Sequence, residues 1–215
     1  MIYVLGAGAV ARETLNSYKD LGRLKEIAGF IEENCRKEGS EIHGKSVMDS
    51  SIINTLPKDT LFIGAMGSPR RKRWIEEIEG KGFNFDVVVH PSTLMDDFVD
   101  IGKGCIIRPG VILAYNVKIG RHSIIYIGST IGHDCKIGNF VTIAPGVDIA
   151  GNVTIKDECW IGIGAKIIHR VSVGKGSFIG AGAVVTKDIP ENVLAVGVPA
   201  KPIRQLNEAD WERII

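Results

Sequence analysis

In TIGHDCKIGNFVTIAPG, Thr130 to Gly146, an imidazole and a carboxylate stand side by side at His133 and Asp134. Imidazole titrates near 6.5, so it can take or give a proton at neutral pH. A neighbouring carboxylate can fix its tautomer and favour the imidazolium that forms. The plain alternative is a surface histidine beside a surface acid. The two residues occupy the third and fourth slots of a six-residue unit that begins at Ile131. Which reading holds depends on the element that carries that unit.

The unit is one of many. Stepping by six from Ile101 gives Ile107, Leu113, Ile119, Ile125 and Ile131, and the run continues unbroken to Val185, fifteen aliphatic positions in all. Four residues after each one stands a mostly small side chain, Cys105, Val111, Val117, Ser123 and Ser129 among them. A helix would need spacings of three and four, and hairpins would show Asn-Gly turns between alternating runs. A fixed period of six marks a parallel β-helix whose turns stack to bury one continuous column. Three units make a triangular turn of 18 residues, so 101–190 supplies five turns, preceded by a partial turn around Met95. The third and fourth slots then form a corner, which makes His133 project outward. Cys105, Cys135 and Cys159 fall in the small inward column and read as packed thiols.

Before residue 90 the pattern changes. MIYVLGAGAVARETL reads as a strand, a glycine turn and a helix. EIAGFIEEN and TLFIGAM read as further strands, Ser68–Gly80 as a basic helix, and FDVVV as a fourth strand. Strands alternating with helices indicate a parallel α/β sheet, and His90-Pro91 marks the junction. GAGAVA, Gly6–Ala11, fits a dinucleotide fingerprint with Ala in the last slot, so Gly8, Ala9 and Val10 would bring a phosphate to the helix start. Glu32 and Glu33, at the end of the second strand, stand where an acid could meet a ribose or base. Full dinucleotide domains run longer than ninety residues, which argues against a redox cofactor. In SPRRKRW, residues 68–74, positive charge opposes the helix dipole. Either it is a solvated basic face, or Arg70 or Arg71 faces a diphosphate.

Composition narrows the classes. The chain has 215 residues and a formal charge of +1, so no strong field draws nucleic acid or an anionic membrane. No apolar run approaches eighteen residues, so no membrane span is expected. The opening MIYVLGAG lacks a charged leader and is expected not to be a signal peptide. The four cysteines, Cys35 included, show no CxxC pairing and no zinc-like cluster. A cytoplasmic setting and no metal are the expectations.

With GAG at Gly6–Gly8, GFIEEN, HPST, IGHDCKIGNFVTIAPG, AGNVTI, IGIGA, IGAGAVVTKDIP and VGVPAKPI in order from residue 2 to about 204, the chain resembles a known family. This is the bacterial sugar O- and N-acetyltransferases of the hexapeptide-repeat acyltransferases. They include sialic acid O-acetyltransferases and UDP-4-amino-sugar N-acetyltransferases. The resemblance implies a Rossmann-like nucleotide-sugar-binding domain over 1–90, a left-handed parallel β-helix over 91–195, and a tail, 196–215, that closes over acetyl-CoA. It also implies a homotrimer with active sites between subunits. It makes His133 the base and Asp134 its support. Gly151, 18 residues on and one turn down the same corner, is the candidate amide for the tetrahedral oxyanion. His169, a further turn away at about 9.6 Å from His133, lines the groove. Ile163 and Ala181, stacked by the same step, match positions that contact acetyl-CoA. Thr142 falls where some members carry a second histidine that does so, and Lys201 is a phosphate contact. Gly67 and Arg71 join Gly8, Ala9, Val10, Glu32 and Glu33 as acceptor-binding residues.

Two loops depart from the family. Ala9 and Val10 replace a Gly-Gly-His run, and Met66-Gly67-Ser68 replaces Ile-Gly-Asn. Both bear on the identity of the acceptor. The implied reaction is acetylation of a sugar by direct attack on acetyl-CoA, either at the amine of a nucleotide-activated amino sugar or at a sialic acid hydroxyl. A zinc enzyme of the γ-carbonic anhydrase type and a non-catalytic sugar-nucleotide scaffold are the rivals. The first needs a third histidine at the right corner, and His122 lies on another edge.

Overall fold

The computed structural model describes residues 1–33, 39–207 and 210–211; Asn34 of the GFIEEN motif and Cys35 lie outside the described residues. The N-terminal sheet contains β1 (Ile2–Leu5), β2 (Ile27–Glu32), β3 (Glu41–Ile42), β4 (Lys45–Asp49), β5 (Leu61–Gly64) and β6 (Asn84–Phe85), in the order β3-β4-β2-β1-β5-β6. All pairs are parallel except the β3–β4 hairpin. That hairpin was not anticipated. Its signal is His43-Gly44, both at positive φ, a two-residue turn of the kind Asn-Gly usually makes. Helix α1 (Ala9–Asp20) buries Ala11, Leu15 and Tyr18, a stripe at spacings of four and three, and α2 (Lys72–Gly80) buries Trp74, Ile75 and Ile78. Strand β1 is flanked by β2 and β5, so the chain reverses its winding there. A crevice forms at the carboxyl ends of the three strands.

FDVVV is not one strand. Asn84–Phe85 closes the α/β sheet, and Val88–Val89 already opens the β-helix. Asp86 makes the transfer: its N–H donates to Phe62 O at 2.9 Å, and Val88 N–H donates to Cys105 O at 2.9 Å. The Asp86 carboxylate accepts from Tyr18 Oη at 2.7 Å and pairs with Arg23 at 3.0 Å. The β-helix thus begins ahead of His90-Pro91, not at 91.

Two-residue strands then recur on three faces. The first face runs Val88–Val89, Ile106–Ile107, Ile124–Ile125, Thr142–Ile143, Trp160–Ile161 and Phe178–Ile179. It ends in Val193–Val196 and an antiparallel strand, Lys201–Gln205. The second face starts at Leu94–Met95 and the third at Asp100–Ile101. Rungs pair with the residue 18 positions on, such as Ile107 with Ile125 and Ile119 with Ile137, until the last turn, where Val173 and Phe178 pair 16 residues on with Ile189 and Leu194. The inward aliphatic column is buried from Ile107 to Val185, and each such side chain contributes about 1.5–3 kcal/mol. The small column has a second task. Cys105, Cys135 and Cys159 donate to the carbonyls of Gly120, Ala150 and Gly174 at 3.0–3.1 Å, and Ser123 and Ser129 do the same for Gly138 and Ala144. Burial pushes the Cys105 and Cys159 thiols up to about 12, so these are packed, protonated groups. The α/β domain lies across the first face, where Ile2, Val4 and Ala7 share a core with Val88, Ile106 and Ile124. No described helix is long and apolar enough to cross a membrane.

Candidate active site

His133 and Asp134 sit on the edge between the second and third faces, just after the strand Thr130–Ile131. Asp134 has φ 58°, as do its stacked neighbours Asn116 (58°) and Asn152 (61°), and Arg170 continues the column at 61°. Left-handed backbone turns each corner, and Asn and Asp adopt it more readily than most residues. The Asp134 carboxylate reaches back to His133 Nδ1 at 2.9 Å and accepts from Asn116 Nδ2 at 2.7 Å. Those two hydrogen bonds hold it below its ordinary range. An ionised carboxylate can only accept, so Nδ1 carries the hydrogen and Nε2 is left as the basic nitrogen. The ring is more than half exposed, with 59 % of its side-chain surface accessible.

Nε2 lies over Gly151. A Cβ on Gly151 would sit 2.7 Å from His133 Cε1, so only glycine lets the ring approach. The Gly151 N–H has no acceptor among the described residues. On the edge between the third and first faces the matching amides of Arg121 and Asn139 are covered, by the side chains of Asn139 at 3.0 Å and Asp157 at 2.8 Å. The edge between the second and third faces therefore presents a basic nitrogen next to an unoccupied amide donor. Exposed His169 continues that edge.

A cleft of about 650 Å³ opens at the strand crossover of the α/β domain, lined by Gly6–Val10, Glu32, Glu33, Ala65–Gly67 and Trp74. Gly8 caps α1 without a side-chain hydrogen bond, which leaves the helix amides and their positive dipole end facing the cleft. Glu32 Oε1 accepts from Ala7 N at 3.2 Å, and Glu33 pairs with Arg73 at 2.8 Å across the rim. The cleft suits a ligand with a diphosphate at the helix start and a polar group toward the two acids. His133 is not part of it. The cleft belongs to the domain covering the first face, and His133 lies on the opposite edge of the prism.

Comparison with known proteins bears on this geometry. Residues 116–151 and 152–187 match the bacterial transferase hexapeptide (six repeats) family. WeeI from Acinetobacter baumannii AYE is 31 % identical, with a TM-score of 0.86 over 94 % of this chain and 99 % of that one. The chain belongs to the hexapeptide-repeat sugar acetyltransferases. Two further solved structures of like fold carry ligands. PerB from Caulobacter crescentus, in complex with CoA and GDP-perosamine, is 28 % identical with a TM-score of 0.87, covering 94 % of this chain and 97 % of that one. The acetyltransferase domain of PglB from Neisseria gonorrhoeae FA1090, in complex with acetyl coenzyme A, is 29 % identical with a TM-score of 0.85, covering 94 % and 98 %. No curated protein matches the sequence. The fold of this acetyltransferase is an α/β domain followed by a left-handed β-helix.

Most of the expected acceptor residues of this acetyltransferase line the cleft: Gly8, Ala9, Val10, Glu32, Glu33 and Gly67. Arg71 does not, which corrects the sequence reading. It is buried, and Nε, Nη1 and Nη2 donate to the carbonyls of His122, Gly67, Ser68 and Val141 and to Thr142 Oγ1 at 2.7–3.2 Å. A guanidinium committed to five acceptors cannot hold a diphosphate; it ties the α/β domain to the β-helix. Thr142 is corrected for the same reason. It is fully buried, donates to Gly67 O at 2.7 Å and receives Arg71, so it has no surface for acetyl-CoA. Ile163 and Ala181 stand exposed one turn apart on the edge between the first and second faces. The tail bends over that edge, with Val184 N–H donating to Gly197 O at 3.0 Å and Ala200 N–H to Val184 O at 2.8 Å, and Lys201 is exposed beyond it. Trp74 was missed. Its signal is its place in SPRRKRW, one turn after the loop that carries Gly67. Among the described residues no group of three or more His, Cys, Asp or Glu side chains is placed to hold a metal ion.

Proposed function

We propose that this acetyltransferase moves an acetyl group from acetyl-CoA to the amine of a nucleotide-activated amino sugar in surface-glycan synthesis. The observation that carries the reading is the pairing on one edge of an oriented imidazole and an open backbone amide, with a diphosphate-sized cleft on the α/β domain. His133 Nε2 removes the proton of the amine as the nitrogen attacks the thioester carbonyl. The Gly151 N–H receives the oxyanion that forms. Asp134 stabilises the imidazolium, which then gives its proton to the departing thiol. No acyl-enzyme is needed, because the described cysteines are buried and protonated.

The donor lies along Ile163 and Ala181 beneath the tail, with Lys201 at its phosphates. Its edge and the catalytic edge border the same second face. A homotrimer that sets the donor edge of one subunit against the catalytic edge of the next completes the site. The exposed apolar side chains support this packing: Leu94 and Ile112 on the second face, Phe98, Tyr115 and Ile168 on the catalytic side, Ile127 and Ile163 on the donor edge. PerB, crystallised with CoA and GDP-perosamine, supports a nucleotide amino sugar as acceptor. O-acetylation of sialic acid is the second reading. An acetyl-CoA consumption assay against UDP-, dTDP- and GDP-amino sugars, with free and CMP-linked sialic acid alongside, separates the two. Turnover confined to an amino sugar is expected, and turnover confined to sialic acid would replace this reading with the second.

A further inference from the structure

Gly67 lines one side of the cleft, next to the β-helix. Its carbonyl is gripped by Thr142 Oγ1 at 2.7 Å and Arg71 Nη1 at 2.9 Å, which turns its unsubstituted side toward the β-helix. A Cβ built there would meet Tyr126 Oη at 3.3 Å, Val10 Cγ2 at 3.7 Å and Trp160 Cη2 at 3.9 Å. Gly67 and Val10 both line the cleft, so the Tyr126 hydroxyl stands at its margin, beside two apolar side chains.

Tyr126 follows the strand Ile124–Ile125 and opens the corner that carries Ile127 and, two turns on, Ile163. Its ring is held in place by Arg108, whose guanidinium carbon lies 5.8 Å from the ring centroid and whose Nη2 donates to Val10 O at 2.9 Å. Its hydroxyl has no hydrogen-bond partner among the described residues, yet it is not one of the enclosed, unsatisfied polar atoms. It therefore keeps accessible surface. Burial of the ring raises the phenol's pKa, which keeps the O–H available as a donor at neutral pH. From the acids Glu32 and Glu33, past the helix start at Gly8 and Ala9, to Gly67 and Tyr126, the order of groups matches a base, a diphosphate and a sugar in turn.

We infer that Tyr126 is a specificity-determining residue whose hydroxyl hydrogen-bonds the sugar ring of the nucleotide sugar, and not its nucleotide. The inference rests on the acetyltransferase reading above. Tyr126→Phe tests it, because Phe keeps the ring over Arg108 and removes only the hydroxyl. With the active amino-sugar nucleotide, its KM is expected to rise about five- to twentyfold. The KM for acetyl-CoA, the Kd of the free nucleoside diphosphate, the Tm and the oligomeric mass should stay at their wild-type values. An unchanged KM for the sugar nucleotide overturns the assignment. Weakened binding of the nucleoside diphosphate alone does so too, by moving the contact to the diphosphate, and loss of mass or Tm makes the residue structural. If the wild type turned over no nucleotide amino sugar, the reaction assignment would fall instead. Calorimetric titration of both proteins with the sugar nucleotide would then still decide whether the hydroxyl contributes to binding.

Discussion

At the scale of single residues, the juxtaposition of His133, Asp134 and Gly151 was legible because an 18-residue period brings equivalent slots onto one edge. The period gave their neighbourhood before any coordinate did. It said nothing about what covers Arg71, because burial between two domains leaves no trace in a run of charges such as SPRRKRW. The proposed function makes sharp demands on two of these residues. Asp134→Asn keeps a side chain suited to φ 58° but can present a donor to Nδ1, favouring the tautomer with hydrogen on Nε2. We expect kcat to fall by roughly 10²- to 10⁴-fold, with KM for acetyl-CoA unchanged. Gly151→Ala would place a methyl 2.7 Å from His133 Cε1 and push the ring off its line of attack. A loss of about 10²-fold in kcat is expected, with Tm held within a few degrees. Steady-state kinetics and thermal melts check both. Wild-type turnover in Gly151→Ala would remove Gly151 from the site.

At the scale of elements, the strands of the β-helix follow directly from the hexad, since each inward aliphatic fixes one rung. The chain's exit from the α/β sheet was not legible. FDVVV has the composition of one strand, and it is divided at Asp86, whose N–H still donates to Phe62 O while its carboxylate meets Tyr18 and Arg23 and Val88 N–H already donates to Cys105 O. Nor was the clasp between α2 and the β-helix. There His122 lies between Phe85 and Phe140, with ring centroids at 4.8 and 5.0 Å. Its Nε2 meets Glu79 at 3.1 Å, while Nδ1 has no partner among the described residues. Glu79 also binds Lys103 at 2.7 Å and pairs with Arg121. Burial depresses the His122 pKa from 6.5 to about 4, with Arg121 and Arg71 acting in the same direction against Glu79. The unfolded chain therefore takes up a proton at 6.5 that the folded chain refuses until about 4. This contribution to stability is intact above pH 6.5 and lost as the pH falls to about 4, by up to about 3 kcal/mol. Glu79, held at about 2 by Lys103, His122 and Arg121 against the opposing effect of its own burial, adds a further loss below 4.5. Urea unfolding at pH 7, 5.5 and 4 should trace this decline, and His122→Phe should flatten the part above pH 4. A wild-type stability that did not fall between 6.5 and 4 would show His122 to be protonated in the fold. On the same clasp, Arg71→Ala removes the side-chain donors that join Gly67 and Ser68 to His122 and Val141, and it leaves the His122 carbonyl without a donor among the described residues. It should cost about 2–4 kcal/mol in urea unfolding.

At the scale of the whole molecule, the sequence carries no direct sign of assembly. Contacts between copies impose no period, and the exposed apolar residues of the second face look like any others until the prism is built. The geometry of one chain nonetheless makes a strong demand. The domain that holds its cleft covers the first face and its imidazole stands on the opposite edge, so under the proposed function one chain cannot bring its own acceptor to its own base. If sites form between neighbouring copies of a ring, the mass in solution should be three times 23.3 kDa, and two inactive variants should repair each other. One is His133→Ala. The other is Gly8→Trp, where an added side chain meets nothing within 4 Å at its first carbon and so grows into the cleft without disturbing the fold. Each is expected to be inactive alone. Co-expressed in equal amounts, they mix at random. A site is then whole only when a chain with an open cleft abuts a chain with an intact imidazole, a chance of about one half for each and about a quarter for both. Roughly a quarter of wild-type activity per site should return. Activity that stays at the level of the separate variants, in mixed trimers verified by mass, would mean that cleft and base belong to one chain after all, and the intersubunit site would have to be given up.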